Sequence, residues 1–171
     1  MDDLKYINNN TAAIIIELIQ SGSGFKVASK KWIREIKKKC KIFKAKLIFD
    51  EIQTCFGRTG KLFGFQNYNV IPDILCIAKG MGGGMPIGCF ISSTSMMKKF
   101  TSNPILGHIT TFGGHPVNCV ASLKTLEILL STNIINEVSK KENLFRKFLE
   151  HTEIESIDGI GLMLGLKFKT S

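Results

Sequence analysis

The amino-acid sequence predicts an α/β fold built on a mostly parallel β-sheet with flanking helices. Four short apolar runs, at residues 12–20, 45–51, 71–78 and 86–92, have the length and composition of buried strands. A helical pattern over residues 29–43 separates the first two runs, and strand–helix–strand units build parallel sheets. The chain has 171 residues, of which 44% are hydrophobic, and this is enough to form a sizeable core.

The predicted strands are marked by how they begin and end. The run "AAIIIELIQ" at residues 12–20 is rich in β-branched residues and indicates a strand buried on both faces. The stretch "SGSG" at residues 21–24 ends it, and Ser29 stands where the helix over residues 29–43 begins. The second run ends in acidic residues. The third leads to Lys79, which a glycine cluster at residues 80–85 follows.

The C-terminal part changes to longer helical patterns. Residues 115–131 predict an amphipathic helix with Pro116 in its first turn, and a second helix is expected over about residues 134–151. A final strand is expected over residues 159–168. Because the chain stops three residues later and shows no evident partner strand, we expect this second unit to be incomplete.

The net charge of +9 comes mainly from lysines, several of them in "KKKCKIFKAK" at residues 37–46. The apolar residues Trp32, Ile33 and Ile36 lie on one side of the same predicted helix, which places the lysines on a solvated face. Aromatic residues do not interleave with these charges, as they do on surfaces that stack nucleic-acid bases. The sequence therefore does not favour a nucleic-acid partner.

Cysteine and histidine spacing does not favour a metal site. The five cysteines form no CxxC pair, and the three histidines show no HExxH spacing. The N-terminal stretch "MDDLKYINNN" is too polar for a signal peptide, and no apolar run approaches the length of a membrane span. We therefore expect a cytoplasmic protein with reduced cysteines and no membrane partner.

Neither glycine-containing stretch matches a nucleotide-binding loop. "GMGGGM" at residues 80–85 lacks the third glycine of GxGxxG, because Met85 occupies that position. "GRTGK" at residues 57–61 lacks the leading glycine of a P-loop and the Ser or Thr that follows its lysine. Both patterns are short and arise easily by chance, so they do not indicate a nucleotide site.

Charged residues cluster at one predicted edge of the sheet. Ligands of parallel sheets bind beyond the carboxyl ends of the strands, where Glu17, Asp50 and Lys79 each stand. An apolar wall can lower the pKa of a lysine amine and make it a nucleophile toward carbonyls. A lysine with a partner aspartate is the arrangement that pyridoxal phosphate requires. The alternative is a solvated lysine at the end of a strand.

These residues lie in motifs that resemble those of a known family. Residues 47–88, "LIFDEIQTCFGRTGKLFGFQNYNVIPDILCIAKGMGGGMPIG", resemble the core signature of class III aminotransferases. These are pyridoxal-phosphate enzymes of fold type I, among them acetylornithine, ornithine and 4-aminobutyrate aminotransferases. Residues 107–123, "GHITTFGGHPVNCVASL", are similar to the family's HGxTxGGNP segment. Residues 15–24 and 159–166 resemble its EPxQGEGG strand and the start of its small C-terminal domain.

The resemblance implies a role for each matching residue. Lys79 would form the Schiff base with pyridoxal 5'-phosphate and then move a proton between substrate and cofactor. Asp50 would pair with the pyridine nitrogen, and Gln53 would bond the phenolic oxygen of the ring. Thr111 would bind the cofactor phosphate from the partner subunit of a homodimer. Thr110 would lie near the substrate.

The resemblance is less regular around Glu17. This residue matches a glutamate that in some members pairs with a substrate-binding arginine and sorts ω-amino donors from 2-oxoglutarate. Leu18 stands where the family has proline, and "SGSG" replaces GEGG. Ile109, His115 and Asp158 stand where glycine, asparagine and arginine are common.

The family's members are more than twice as long as this chain. The resemblance therefore implies a partial large domain of a fold type I PLP-transferase at residues 1–130. Residues 131–171 would be a linking helix and the start of the small α+β domain. The implied reaction moves an amino group from an ω-amino donor, such as N-acetylornithine or ornithine, to 2-oxoglutarate. The alternative is a truncated and catalytically inactive remnant, and the sequence leaves the amino donor open.

Overall fold

The computed structural model describes residues 2–105 and 107–169, so residues 1, 106, 170 and 171 lie outside the description. The strands are β1 (Ala13–Glu17), β2 (Ile19–Gln20), β3 (Lys26–Val27), β4 (Lys46–Asp50), β5 (Ile74–Ile77), β6 (Cys89–Ser92), β7 (Ile154–Ile160) and β8 (Met163–Phe168). The α-helices are α1 (Lys30–Phe43), α2 (Thr94–Met97), α3 (Pro116–Ser131) and α4 (Val138–Phe148). Short 3₁₀ turns occupy Asp2–Tyr6, Ser21–Ser23, Gly64–Asn67, Lys79–Gly82 and Lys98–Thr101.

A four-stranded sheet in the order β1-β4-β5-β6 forms the centre of the fold. β1, β4 and β5 run parallel, with Glu17 opposite Asp50 and Asp50 opposite Cys76. β6 runs antiparallel to β5, because the connection at residues 78–88, all of them described, holds a 3₁₀ turn and no crossover helix. The predicted α/β fold with a mostly parallel sheet is confirmed.

Helix α1 covers one face of this sheet. Ile16, Leu47 and Phe49 are buried on that face and pack with Ile33 of the helix. Successive side chains of a strand point to opposite faces, and on the other face Ile15 is 69% exposed. The expectation that the first strand is buried on both faces is therefore wrong for the described part of the chain.

The first strand is also shorter than predicted. β1 stops at Glu17, and after Leu18 the chain turns into β2, which pairs antiparallel with β3. The turn between β2 and β3 contains the "SGSG" stretch, and Gly24 takes the left-handed conformation with a φ of 75°. The glycines and serines that were predicted only to end a strand therefore form the turn of a small hairpin.

Helix α1 follows its prediction closely. The Ser29 hydroxyl caps its N-terminus by accepting the backbone N–H of Trp32 at 3.2 Å. Lys44 ends the helix in the left-handed conformation with a φ of 57°. On the solvated side Lys38 pairs with Glu35 at 2.8 Å, as the predicted lysine face requires.

The C-terminal strand has a partner that sequence reasoning missed. β7 pairs antiparallel with β8, and Gly159 and Ile160 belong to β7 and not to the last strand. The chain reverses at Gly161, where φ is 66°. The expectation of an unpartnered final strand is therefore wrong: the glycine at the reversal point permits a tight hairpin.

Two side chains of α4 fasten this hairpin. The Arg146 guanidinium donates to the carbonyl oxygens of Ile157 at 2.6 Å and Gly159 at 2.9 Å. Glu142 accepts the backbone N–H of Gly161 at 2.7 Å and pairs with Arg146 at 2.9 Å. Helix α4 is shorter than the predicted range of residues 134–151 because a turn precedes it at residues 133–137.

Helix α3 is not amphipathic in the predicted way. Val117, Val120 and Leu123 are each more than half exposed, and among its described residues only Ser122 is buried. Apolar side chains on several sides of a helix are typical of a helix that is covered by other parts of a protein. None of the helices in the described ranges has the length and apolar character needed to cross a membrane.

Candidate functional site

The carboxyl ends of β1, β4 and β5 bring three predicted residues to one edge of the sheet. Glu17 and Asp50 are the last residues of neighbouring parallel strands and lie directly opposite each other. Residues opposite each other share a face, so both carboxylates lie on the sheet face that α1 does not cover. Lys79 follows two residues after the end of β5. The predicted placement of these three residues is confirmed.

Asp50 is half-buried, and its Oδ1 accepts the backbone N–H of Ile52 at 3.0 Å. Among the described residues no group donates to its Oδ2. Burial raises the pKa of the neighbouring Cys76 thiol, and the charge of Asp50 raises it further. The carboxylate therefore keeps one oxygen for a cationic or N–H partner beside the end of β5.

Lys79 is exposed and begins the 3₁₀ turn Lys79–Gly82. Its φ of 47° lies in the left-handed region, which costs a non-glycine residue about 1–2 kcal/mol. The turn is closed by the N–H of Met81, which donates to the carbonyl oxygen of Ala78 at 3.1 Å.

One cavity of about 300 Å³ is lined by Lys79 and by Gln53. Phe56, Arg58 and the hairpin residue Leu162 form other parts of its wall. Gln53 is held by its Nε2, which donates to the Ser21 hydroxyl at 2.7 Å. The structure thus brings the predicted amine and the predicted amide together in a single concave site.

Glu17 lines a different cavity of about 160 Å³, together with Lys26, Ser29 and Trp32. The Trp32 Nε1 is buried and has no hydrogen-bond partner in the described part of the chain. Glu17 shares the sheet edge with Asp50, and neither carboxylate lines the Lys79 cavity.

Thr110 and Thr111 line a third cavity of about 470 Å³ at the N-terminus of α3. Both residues are exposed, and the segment is tied to the connection before β6 by Asn118, whose Nδ2 donates to Pro86 O at 2.6 Å. The structure does not bring either threonine into the cavity of Lys79.

Glu51 is a buried residue at this edge for which sequence reasoning gave no role. Its side chain is 0% exposed and accepts hydrogen bonds from the N–H groups of Gly64 and Phe65, the latter at 2.6 Å. The Thr54 hydroxyl donates to it at 3.2 Å. Burial raises the pKa of the Glu51 carboxyl, and these three hydrogen bonds oppose that effect. Its position next to Asp50, in "DEIQ" at residues 50–53 of the stretch that resembles the family's core signature, was the available signal.

The C-terminal hairpin packs against the loop that carries Arg58. The N–H of Leu162 donates to Arg58 O at 2.9 Å. A Cβ on Gly161 would lie 2.5 Å from that same oxygen and 2.8 Å from the Thr59 Cα, so glycine is required for this approach. Phe25 packs equally tightly over Gly165 of β8. The hairpin therefore forms one wall of the Lys79 cavity, which sequence reasoning did not foresee.

A family model for "Aminotransferase class-III" matches residues 1–171 of this chain. The chain belongs to the class III aminotransferases. The match extends over all of the elements described above.

Curated relatives of this class III aminotransferase chain include an acetylornithine aminotransferase from Clostridium acetobutylicum. The two are 37% identical over 174 residues, which cover 98% of this chain and 44% of the relative. The chain spans less than half the length of the curated relatives that it matches.

Solved structures of aminotransferases share the fold. A Bacillus anthracis aminotransferase superposes with a TM-score of 0.88 at 32% identity, covering 98% of this chain and 41% of the other. A Toxoplasma gondii ornithine aminotransferase gives a TM-score of 0.88 at 28% identity, covering 97% and 40%. The latter structure is described as having partial occupancy of PLP at its active site.

The donor set of this class III aminotransferase fits one half of a pyridoxal-phosphate site. A primary amine, a carboxylate with an oxygen to spare and an amide all lie at the carboxyl edge of β4 and β5. These are the groups that a carbonyl, a protonated ring nitrogen and a ring oxygen would need. The hydroxyls of Thr110 and Thr111 line a separate cavity, so they do not add a phosphate site to this one.

Proposed function

We propose that this chain forms part of a pyridoxal-phosphate-dependent transaminase. It would move an amino group from an ω-amino donor, such as N-acetylornithine or ornithine, to 2-oxoglutarate. One observation carries the proposal: Asp50 ends β4 and Lys79 follows the end of the adjacent parallel strand β5, at the edge where such sheets bind their ligands. The acetylornithine aminotransferase relatives support the choice of donor class.

Three residues would act directly on the cofactor. When bound, pyridoxal phosphate supplies an electron sink that makes a substrate carbon acidic. Asp50 would keep the ring nitrogen protonated through its spare oxygen, and Gln53 would orient the ring through its phenolic oxygen. Lys79 would hold the cofactor covalently, and its released Nζ would carry the proton between two carbon atoms.

In the same proposal, Glu17 and the two threonines act at positions away from the Lys79 cavity. Glu17 would sort amino donors from 2-oxoglutarate by its charge at the neighbouring strand end. Thr111 would bind the phosphate in the active site of a second subunit, and Thr110 would lie beside the substrate there. The separation of their cavity from that of Lys79 supports this homodimeric arrangement.

A cytoplasmic location fits the chemistry of the chain. All five cysteines are free thiols, as expected in a reducing compartment. Within the described residues no three His, Cys, Asp or Glu side chains are grouped as metal ligands would be. The proposed reaction likewise requires only the organic cofactor.

A second possibility is an inactive remnant, and the exposed surface favours it. Ile15, Ile105 and Phe112 are 69%, 78% and 78% exposed, which is unusual for large apolar side chains in a protein that acts alone. An assay separates the two functions. The chain is incubated with pyridoxal phosphate, 2-oxoglutarate and N-acetylornithine or ornithine, and glutamate formation is measured.

The proposed transaminase forms glutamate with at least one donor, and Lys79→Arg abolishes it because a guanidinium cannot replace the nucleophilic amine. Absence of glutamate in both the parent chain and the variant supports the remnant. The matched control is Lys61→Arg, a lysine outside the Lys79 cavity, which leaves the rate unchanged.

A further inference from the structure

The buried carboxylate of Glu51 joins the two ends of one loop. This loop, residues 51–65, leaves β4 immediately after Asp50 and returns at Gly64 and Phe65. One carboxylate oxygen accepts the Gly64 N–H and the Thr54 hydroxyl, and the other accepts the Phe65 N–H. Both oxygens are therefore used as acceptors, and the side chain closes the 51–65 loop from within.

The start of the 51–65 loop is also bonded to the strand that leads to Lys79. The N–H of Glu51 donates to Cys76 O at 2.9 Å, and the N–H of Cys55 donates to Glu51 O at 3.2 Å. The Cys55 thiol contacts Ala78 O at 3.7 Å. These bonds connect Glu51 to the residue that immediately precedes Lys79.

The middle of the 51–65 loop supports the turn that Lys79 begins. Phe56 lies so close to Gly80 that a Cβ on that glycine would be 3.3 Å from the Phe56 Cβ. Arg58 O receives the N–H of Leu162 from the hairpin wall. The loop therefore contacts the Lys79 turn on one side and the opposite wall of the cavity on the other.

We propose that Glu51 is a positioning residue for Lys79. By holding the 51–65 loop closed, its carboxylate fixes the left-handed turn at Lys79 and the direction in which the amine leaves β5. This positioning role goes beyond the proposed function. The labelling measurement described below rests on the proposed function, whereas the hydrogen-exchange measurement does not depend on it.

Replacing Glu51 with glutamine is the sharpest perturbation. The amide has nearly the same shape, but it has one acceptor oxygen and one N–H₂ donor. Because both carboxylate oxygens face backbone N–H donors, the N–H₂ group must point at a donor and leaves it unsatisfied. The matched control is Glu127→Gln, which removes an exposed carboxylate paired with Lys124 on α3.

The first measurement is hydrogen–deuterium exchange of the full chain. Peptides covering residues 52–63 and 78–82 are compared with peptides from β1 and β4 in the parent, Glu51→Gln and Glu127→Gln proteins. We expect about tenfold faster exchange in the first two regions of Glu51→Gln only, the effect of leaving one buried donor unpaired. Exchange within twofold of the parent in those regions overturns the proposal.

The second measurement is covalent labelling of lysines by pyridoxal 5'-phosphate and borohydride, mapped by mass spectrometry. We expect labelling at Lys79, relative to the surface lysines, to fall about tenfold in Glu51→Gln while circular dichroism stays the same. A purely structural role lowers stability without changing this ratio, and an unchanged ratio overturns the proposal. If the parent is not labelled at Lys79, the proposed function fails, and the exchange measurement alone decides the role of Glu51.

A weaker variant covers the case in which Glu51→Gln does not fold. Thr54→Val removes one of the three hydrogen bonds and keeps the carboxylate and the β-branched shape of the side chain. We expect residues 52–63 and 78–82 to exchange several-fold faster than in the parent. Unchanged exchange in this folded variant overturns the proposal.

Discussion

The side chains of Gln53 and Ser21 are joined by a hydrogen bond of 2.7 Å, with the Gln53 amide donating to the serine hydroxyl. Ser21 belongs to the "SGSG" stretch, where the sequence departs from the family's GEGG pattern. The bond crosses from the small β2–β3 hairpin to the residue that follows β4 by three positions. A departure from the family pattern thus fixes the amide that lines the Lys79 cavity.

We predict that Ser21→Ala weakens pyridoxal-phosphate binding by several-fold. The variant removes the acceptor that orients the Gln53 amide, and a typical hydrogen bond contributes about 1 kcal/mol. Ser23→Ala is the matched control because Ser23 is exposed and makes no side-chain hydrogen bond among the described residues. Cofactor titration followed by absorbance measures the effect. Equal dissociation constants for the two variants would show that the bond has no role in binding.

Gly161→Ala is expected to destabilise the protein by roughly 2–3 kcal/mol or more. The new Cβ would collide with Arg58 O and the Thr59 backbone, and the positive φ adds strain of about 1–2 kcal/mol. Gly114→Ala separates the two effects, because Gly114 has a similar φ of 69° and a Cβ there would meet none of the described residues within 4 Å. Urea unfolding of both variants provides the comparison. Similar losses of unfolding free energy in the two variants would mean that the contact between the hairpin and Arg58 does not contribute to stability.

The cysteines are expected to react with iodoacetamide in an order set by burial. Cys55 is buried and desolvation raises its pKa to about 11, while burial also raises the pKa of Cys40. Since the thiolate is the reactive form, both should be protected at pH 8, whereas the exposed Cys119 should react first. Peptide mapping by mass spectrometry follows each site, with the urea-unfolded chain as the control. Early labelling of Cys55 would contradict the buried packing beside Ala78.

The protein is expected to lose stability in alkali above pH 9. Burial raises the pKa of Cys55 from 9.0 to about 11 and that of Tyr68 from 10.0 to about 12. Both groups are neutral when protonated and have raised pKa values in the folded state. Their contribution is therefore complete below the unfolded values and is lost as pH rises through the folded ones.

Between its unfolded and its folded pKa, each group should lower the free energy of unfolding by about 1.4 kcal/mol per pH unit. This range runs from 9.0 to about 11 for Cys55 and from 10.0 to about 12 for Tyr68. Urea unfolding at pH 8 and pH 10.5 measures how far the free energy of unfolding falls between these two pH values, and the fall should be smaller in Cys55→Ala. An equal fall in the variant would exclude Cys55 as a source of the alkaline instability.

The parallel core of the fold could be predicted because local signals and tertiary structure agree there. The strands β4 and β5, the Ser29 cap and the apolar side of α1 occupy their predicted places. The β7–β8 hairpin was missed because its turn is only a glycine and a leucine, and its two strands read as one apolar segment. The hydrophobic pattern of the sequence does not reveal a chain reversal that depends on the positive φ of a single residue, Gly161.

The candidate site was only partly predictable for a related reason. Strand ends fix where Glu17, Asp50 and Lys79 lie, so topology alone brings them to one edge. It does not say which cavity a side chain enters, and Glu17 lines a different one from Lys79. Glu51 was missed because an acid after a strand ordinarily indicates solvent exposure, and its three donors come from a loop that closes only in the fold.

The site of covalent cofactor attachment tests the proposed role of Lys79 without relying on turnover. The parent chain is mixed with pyridoxal 5'-phosphate at a low molar ratio, reduced with borohydride and digested, and the modified lysine is identified by mass spectrometry. We predict a dominant adduct on Lys79 that is absent in Lys79→Arg. A uniform distribution over the exposed lysines, with Lys79 no more modified than Lys61, would contradict the proposed site.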